Sequence, residues 1–179
     1  MKLVHNIVTD AEYEQVGRHS NYHTIQQIID CEDEIGFDGI YHNVFVHRRC
    51  LEGKRGVFFI MGNYVGDCNL FDLPNVPRLE YYCNWEQIKF LCTEYDFEIG
   101  WHTWSHKDLT TLTRDEIMWE ITPPSQKDIR YFAYPYGKYN DLVVECVKEM
   151  GYEAAWSVTQ GSTNPHEKDF IFKQYRPYL

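Results

Sequence analysis

The sequence predicts an α/β fold, on three observations. Apolar runs of strand length alternate with stretches of helical periodicity, and polar segments containing Gly or Pro follow the runs. The runs are continuous rather than alternating, as in parallel strands covered on both faces. Residues 1–23 are polar and irregular and read as a loose extension of a single domain spanning 1–179. Ile25, Ile28 and Ile29 form a short apolar cluster compatible with either strand or helix, followed by the acidic group Asp30, Glu32, Asp33 and Glu34. Tyr41, Val44, Phe45 and Leu51 fit a helix that stops at Gly53. Val57–Met61 reads as a buried strand before Gly62, and residues 63–80 as a long loop of the kind that carries function. Trp85–Tyr95 is amphipathic, with Trp85, Ile88, Leu91 and Cys92 on one face, and Phe97–Trp101 is a strand running into His102. Thr113–Glu116 is a capping box opening a helix through Trp119. Tyr131–Tyr134 is a strand ended by Pro135; Leu142–Met150 is a helix stopped by Gly151; Ala154–Val158 is a further strand.

Composition narrows the function. The chain has 179 residues, with 17 Lys and Arg against 27 Asp and Glu, a net charge of −10, which argues against nucleic acid or an anionic membrane as partner. Aromatic residues at 16% supply flat side chains for a core and for a cleft. No stretch reaches the roughly 20 apolar residues of a spanning helix. Asp10, Glu12 and Glu14 follow the first residues in place of a signal-like apolar segment, so the expected location is the cytosol. The six cysteines form no C-x-x-C pair and read as free, mostly buried thiols.

In such folds chemistry sits beyond the carboxyl ends of the strands, and three segments there stand out. His102-Thr103-Trp104-Ser105-His106 places two imidazoles at i and i+4, one helical turn apart, able to reach one divalent metal. Thr103 occupies the position where a zinc protease of the His-Glu type carries its base. Such a pair also occurs simply as decoration of a helix start. Asp38, between Phe37 and Gly39, suits a carboxylate ligand completing a two-His, one-carboxylate site, or a general base; Asp before Gly is commonest as a turn former. In Tyr134-Pro135-Tyr136-Gly137 the Tyr136 N–H can be held rigidly as an oxyanion donor, and the segment equally suits an aromatic-packed turn.

Taken in order, Phe37-Asp38-Gly39, Tyr41–Val44, Gly56–Ile60, Glu98–Leu109, Tyr134–Gly137, Gly151-Tyr152 and Ala154–Val158 resemble the NodB-type polysaccharide deacetylases of carbohydrate esterase family 4, over roughly residues 35–162. The resemblance implies an irregular, incomplete (β/α) barrel. It implies a metal-dependent hydrolase that removes an N- or O-acetyl group from a polysaccharide or sugar derivative, with metal-bound water as nucleophile. Carried over by motif, His102, His106 and Asp38 are ligands of a divalent metal, most often Zn2+ (Co2+, Ni2+ or Mn2+ being alternatives). Tyr136 is the oxyanion donor and Pro135 a groove wall, with Trp104 and Trp156 as sugar-stacking candidates.

Three features depart from the pattern. The first motif has one acid where the family has two, so Asp38 stands for either ligand or base, and a base would come from Asp30, Glu32, Asp33 or Glu34 or be absent. Ala133 stands where many members carry Arg. The late Leu-x-His element has no counterpart, His166 being the only histidine after His106. These departures keep two alternatives open: a non-catalytic descendant that binds a glycan or protein, and a deacetylase of small sugars. His5, His19, His23, His42 and His47 receive no role.

Overall fold

The computed structural model describes residues 1–19, 21–32, 34–73, 76–125, 129–157 and the strand 172–174. Its centre is a parallel sheet of seven strands: β1 (Lys2–Val4), β4 (Ile35–Asp38), β5 (Arg55–Ile60), β6 (Asp96–Trp101), β7 (Tyr131–Ala133), β8 (Ala154–Ser157) and β9 (Phe172–Gln174), neighbours in that order. The order is open, running from β1 to β9, and the sheet curls into a half-barrel. Helices fill the crossovers: α2 (Ile25–Ile29) before β4, α3 (His42–Val46) before β5, α4 (Trp85–Glu94) before β6, α5 (Arg114–Ile121) before β7 and α6 (Asp141–Glu149) before β8. Among the described residues no helix is long and apolar enough to cross a membrane.

Residues 1–23 depart from the expected loose extension. β1 pairs in register with β4 (Val4 opposite Phe37), and β2 (Asn6–Val8) pairs with β3 (Tyr22–Thr24) in a second, two-stranded sheet around α1 (Asp10–Gln15). The reason is apolar spacing too short to register as a pattern: Val4, the pair Ile7-Val8 and Tyr22 are all buried, although polar residues lie between these three places. The Ile25 cluster resolves as helix because Thr24 and Gln27 form a capping box. The predicted helix over Tyr41–Leu51 is split into α3 and a 3-10 turn at Arg48–Leu51. Trp85 is 45% exposed, while Ile88 and Leu91 carry the buried face of α4.

The two-residue period of the strands sorts the core into two layers. Val4, Phe37, Phe58, Ile60, Trp101, Phe132 and Ala155 pack with helix residues such as Ile88, Ile117 and Val143. Leu3, Val57, Phe59, Ala133, Ala154 and Trp156 form a separate cluster on the face away from the helices. Asp38 pairs with Phe59, and Phe59 with Gly100. By alternation His5, Asp38 and His102 therefore leave the carboxyl ends of β1, β4 and β6 on that second face. Parallel strands present all their carboxyl ends at one rim, so residues distant in sequence arrive together there.

Candidate active site

Three ligand atoms, one each from Asp38, His102 and His106, lie within 4.8 Å of one another at this rim. Asp38 ends β4, and the chain turns immediately at Gly39, which has φ +71°. A side chain there would meet Met61 Cε at 2.9 Å and Tyr82 Cε1 at 3.0 Å, so glycine is favoured chiefly by the left-handed conformation, and any Cβ would also press on the end of Met61 and the Tyr82 ring. His102 follows β6, with its N–H donating to Ile60 O at 2.9 Å, and is 1% exposed.

The two histidines meet through a loop, not the helical turn that their spacing predicts. Thr103 (φ 69°) and His106 (φ 56°) are both left-handed, which folds the segment tightly enough to bring the ring centroids to 4.7 Å. Glu120 of α5, itself 1% exposed, holds this loop from beneath: its Oε2 accepts the backbone N–H groups of Trp104 (3.0 Å) and Ser105 (2.9 Å), and the Ser105 hydroxyl donates to its Oε1. Thr103 Oγ1 accepts the His106 N–H at 2.9 Å.

The donor set fits a divalent cation. The His102 Nδ1–H donates to Ala133 O at 2.8 Å, which turns Nε2 toward Asp38; in the neutral form of the ring that atom carries the lone pair. That Nε2 lies 2.6 Å from Asp38 Oδ1 without hydrogen-bond alignment. Two electron-rich atoms at this separation need a positive centre to share, either a proton or a metal. The charges agree. Burial works to lower the His102 pKa, but the Asp38 carboxylate overrides it and leaves it raised. Burial likewise opposes ionisation of Asp38, yet His102 and His5 hold it well below the usual carboxylate range. His106 is pushed down to about 3, by burial first and by the nearby His102 second, which keeps it a neutral donor, with its buried Nδ1 outside any protein hydrogen bond. With a cation in place of the proton that Asp38 favours on His102, two imidazoles and one carboxylate would form a borderline-soft set suited to zinc and its neighbours.

Asp38 and His106 open on a cleft of about 620 Å³, lined also by His5, Tyr41, Asp72 and Tyr136 among others, with His102 buried behind them. The Tyr136 backbone is left-handed (φ 57°, ψ 11°) between Pro135 and Gly137, and its ring, 52% exposed, stands edge-on to His106 at 4.6 Å. Other residues singled out from the sequence lie elsewhere. Pro135 is buried beneath the turn and does not line the cleft. Trp104 packs edge-on against Trp101 (5.1 Å) and donates Nε1–H to Thr122 O at 2.8 Å, anchoring the histidine loop. Trp156 is 1% exposed, packs on Phe59 and Tyr131, and borders a second cavity at the amino ends of the strands. Both indoles serve packing because β8 and the histidine loop turn them away from the cleft.

Residues 52–155 match the family model described as polysaccharide deacetylase. The chain belongs to this family. It is 26% identical over 161 residues to the peptidoglycan-N-acetylmuramic acid deacetylase PdaA of Bacillus subtilis, an alignment covering 79% of this chain and 55% of that one. It is 41% identical over 86 residues to chitin deacetylase 1 of Cryptococcus neoformans, covering 42% of this chain and 18% of the relative. The chain thus spans about half the length of the first and less than a fifth of the second. Among solved structures, the Streptococcus pyogenes deacetylase PplD, in complex with acetate, superposes with a TM-score of 0.71 at 12% identity, over 97% of this chain and 89% of that one. IcaB from Ammonifex degensii gives 0.64 at 18% identity, over 99% and 91%. The polysaccharide deacetylase fold, an incomplete (β/α) barrel, is therefore that of this chain.

Sequence reasoning passed over three residues of this deacetylase-family site. His5 approaches Asp38 (Nε2 to Oδ2, 3.6 Å) from the end of β1, Glu120 braces the loop, and Asp72 faces the cleft from the long loop 63–80. For His5 the available signal was Leu3-Val4, a two-residue apolar run directly before it; for Glu120 it was a carboxylate on the apolar side of a helix between Ile117 and Ile121.

Proposed function

We propose that this chain is a metal-dependent hydrolase that removes acetyl groups from an acetylated glycan or sugar derivative. The observation that carries the reading is the convergence of Asp38, His102 and His106 at the carboxyl rim of a deacetylase fold, open to a cleft of sugar size. Asp38, His102 and His106 would hold the cation, zinc first and cobalt, nickel or manganese as alternatives. When bound, such an ion supplies Lewis acidity for the acetyl carbonyl and lowers the pKa of water.

The protein's own groups support this chemistry. The Ala133 carbonyl fixes the tautomer and rotation of His102. Burial keeps His106 neutral, and His102 and His5 favour the ionised form of Asp38. Tyr136, held in a strained turn beside His106, is the candidate oxyanion donor through its backbone N–H. The exposed Tyr136 ring and the Phe71 ring, both packed on His106, offer apolar faces to a sugar.

One observation favours a second reading, a non-catalytic glycan binder. Phe37, fully buried, stands where the resemblance places a second acid. The test is elemental mass spectrometry of the purified chain together with acetate release from acetylated chitooligosaccharides. About one zinc per chain with acetate release supports the hydrolase; metal and oligosaccharide binding without acetate selects the binder.

A further inference from the structure

We propose that Asp72 is the proton-transferring carboxylate of the reaction, taking over the role of the acid missing beside Asp38; the assignment rests on the hydrolase reading above. Among the described residues, Asp38 and Asp72 are the carboxylates lining the cleft. Asp38 is committed to His102 and His5. The acids considered from sequence lie elsewhere. Asp30 caps the exposed end of α2 and accepts from Gln26 Nε2 (2.8 Å), and Glu32 is exposed. Glu34 pairs with Arg55 (3.4 Å) at the opposite ends of the strands, beside the second cavity. Asp33 lies outside the described residues.

Asp72 is placed by a built structure. It closes a 3-10 turn, Leu70–Asp72, and donates its N–H to Asn69 O at 3.0 Å. Asn69 is completely buried; its side chain donates to Arg78 O (3.2 Å) and accepts the Glu80 N–H (2.8 Å), fixing both ends of the loop. The adjoining Phe71 stacks on Tyr64 at 4.2 Å and lies against the His106 ring at 5.7 Å, which docks the turn on the candidate metal centre. The Asp72 charge is felt by groups on several sides of the cleft. Burial raises the pKa of Tyr136, and Asp72 adds to it; the same charge contributes at Tyr41 and Tyr82. A partly exposed acid that lines the same cleft as Asp38 and His106, next to a ring packed on His106, offers a carboxylate for the proton-transfer role that a general base fills.

The proton balance closes on this one residue. As the water oxygen bonds to the acetyl carbon, one water proton passes to the Asp72 carboxylate. The protonated Asp72 then gives that proton to the departing sugar nitrogen as the carbon–nitrogen bond breaks. The products are the amino sugar and acetic acid, which transfers its remaining proton to the amine.

The test uses the zinc-loaded full chain and acetylated chitooligosaccharide, with three measurements: acetate release, zinc per chain, and oligosaccharide affinity by calorimetry. Asp72→Asn is expected to lower acetate release by about 100-fold or more, with zinc content and affinity unchanged, and added formate is expected to restore part of the rate in Asp72→Gly. An active wild type alongside an equally active Asp72→Asn overturns this assignment alone. So does loss of zinc in Asp72→Asn, or a His5→Gln variant that loses turnover while Asp72→Asn keeps it. A wild type that binds zinc and oligosaccharide but releases no acetate overturns the hydrolase reading, and this one with it.

Discussion

Glu120 accepts the Ser105 backbone N–H at 2.9 Å, and through this bond a buried carboxylate on α5 sets the shape of the loop between the two candidate metal-binding histidines. The same oxygen accepts the Trp104 N–H, while Lys107 Nζ stands 3.7 Å from the other. A loop with two left-handed, non-glycine residues persists only if its surroundings over-determine it.

Glu120→Ala should therefore act twice. Two backbone N–H groups lose a charged acceptor, which is expected to reduce unfolding free energy by about 3 kcal/mol in urea titrations. The loosened loop should weaken zinc binding by roughly 10–100-fold. Unaltered zinc affinity in a folded variant would mean that the loop keeps its geometry without this brace.

His102→Ala removes one of the three candidate ligands and should abolish stoichiometric zinc, read as metal per chain by elemental mass spectrometry. His42→Ala, on exposed α3 beside Gln87, is the control and should retain the metal. Equal metal content in the two variants would place the ion elsewhere.

The buried phenols predict sensitivity to alkali. Burial raises the pKa of Tyr22, Tyr82, Tyr134 and Tyr152, and pushes Tyr41 up to about 12. The Tyr82 hydroxyl donates to Tyr41 at 2.9 Å. Above about pH 10 the unfolded chain releases these protons and the folded chain keeps them, so the native state binds more protons and stability falls as pH rises. The contribution is complete below pH 10 and, for Tyr41, is lost by about pH 12. Absorbance of phenolate near the unfolding midpoint should rise together with loss of tertiary circular dichroism. Phenolate appearing earlier, in the folded protein, would contradict this.

Gly39→Ala should cost about 1–3 kcal/mol, since a left-handed φ is combined with contacts of 2.9 and 3.0 Å to Met61 and Tyr82. Because Gly39 follows Asp38, the same variant should weaken zinc binding. A melting temperature equal to that of the wild type would show that Met61 and the Tyr82 ring can yield.

Much of this was legible in the residue order. The run Val57–Ile60 could be little but a strand; Thr113 and Glu116 announced the start of α5; and Asp38, His102 and His106 were recognisable by residue type and by position after apolar runs. Local propensity and capping act within a few residues, so sequence carries them directly. The N-terminal strands were not legible because β1 and β2 are only three residues each, and their stability comes from pairing with β4 and β3 rather than from local pattern.

The sequence by itself determined which side chains were available to hold a metal and where the locally patterned strands and helices, such as Val57–Ile60 and α5, would form. Tertiary structure alone decided that Asp38 faces His102, that Trp104 and Trp156 turn into packing, and that His5, Asp72 and Glu120 reach the site. The physical reason is register. In a pleated strand a shift of one residue sends a side chain to the opposite face, and only the pairing of strands across the sheet, made between distant parts of the chain, chooses that face.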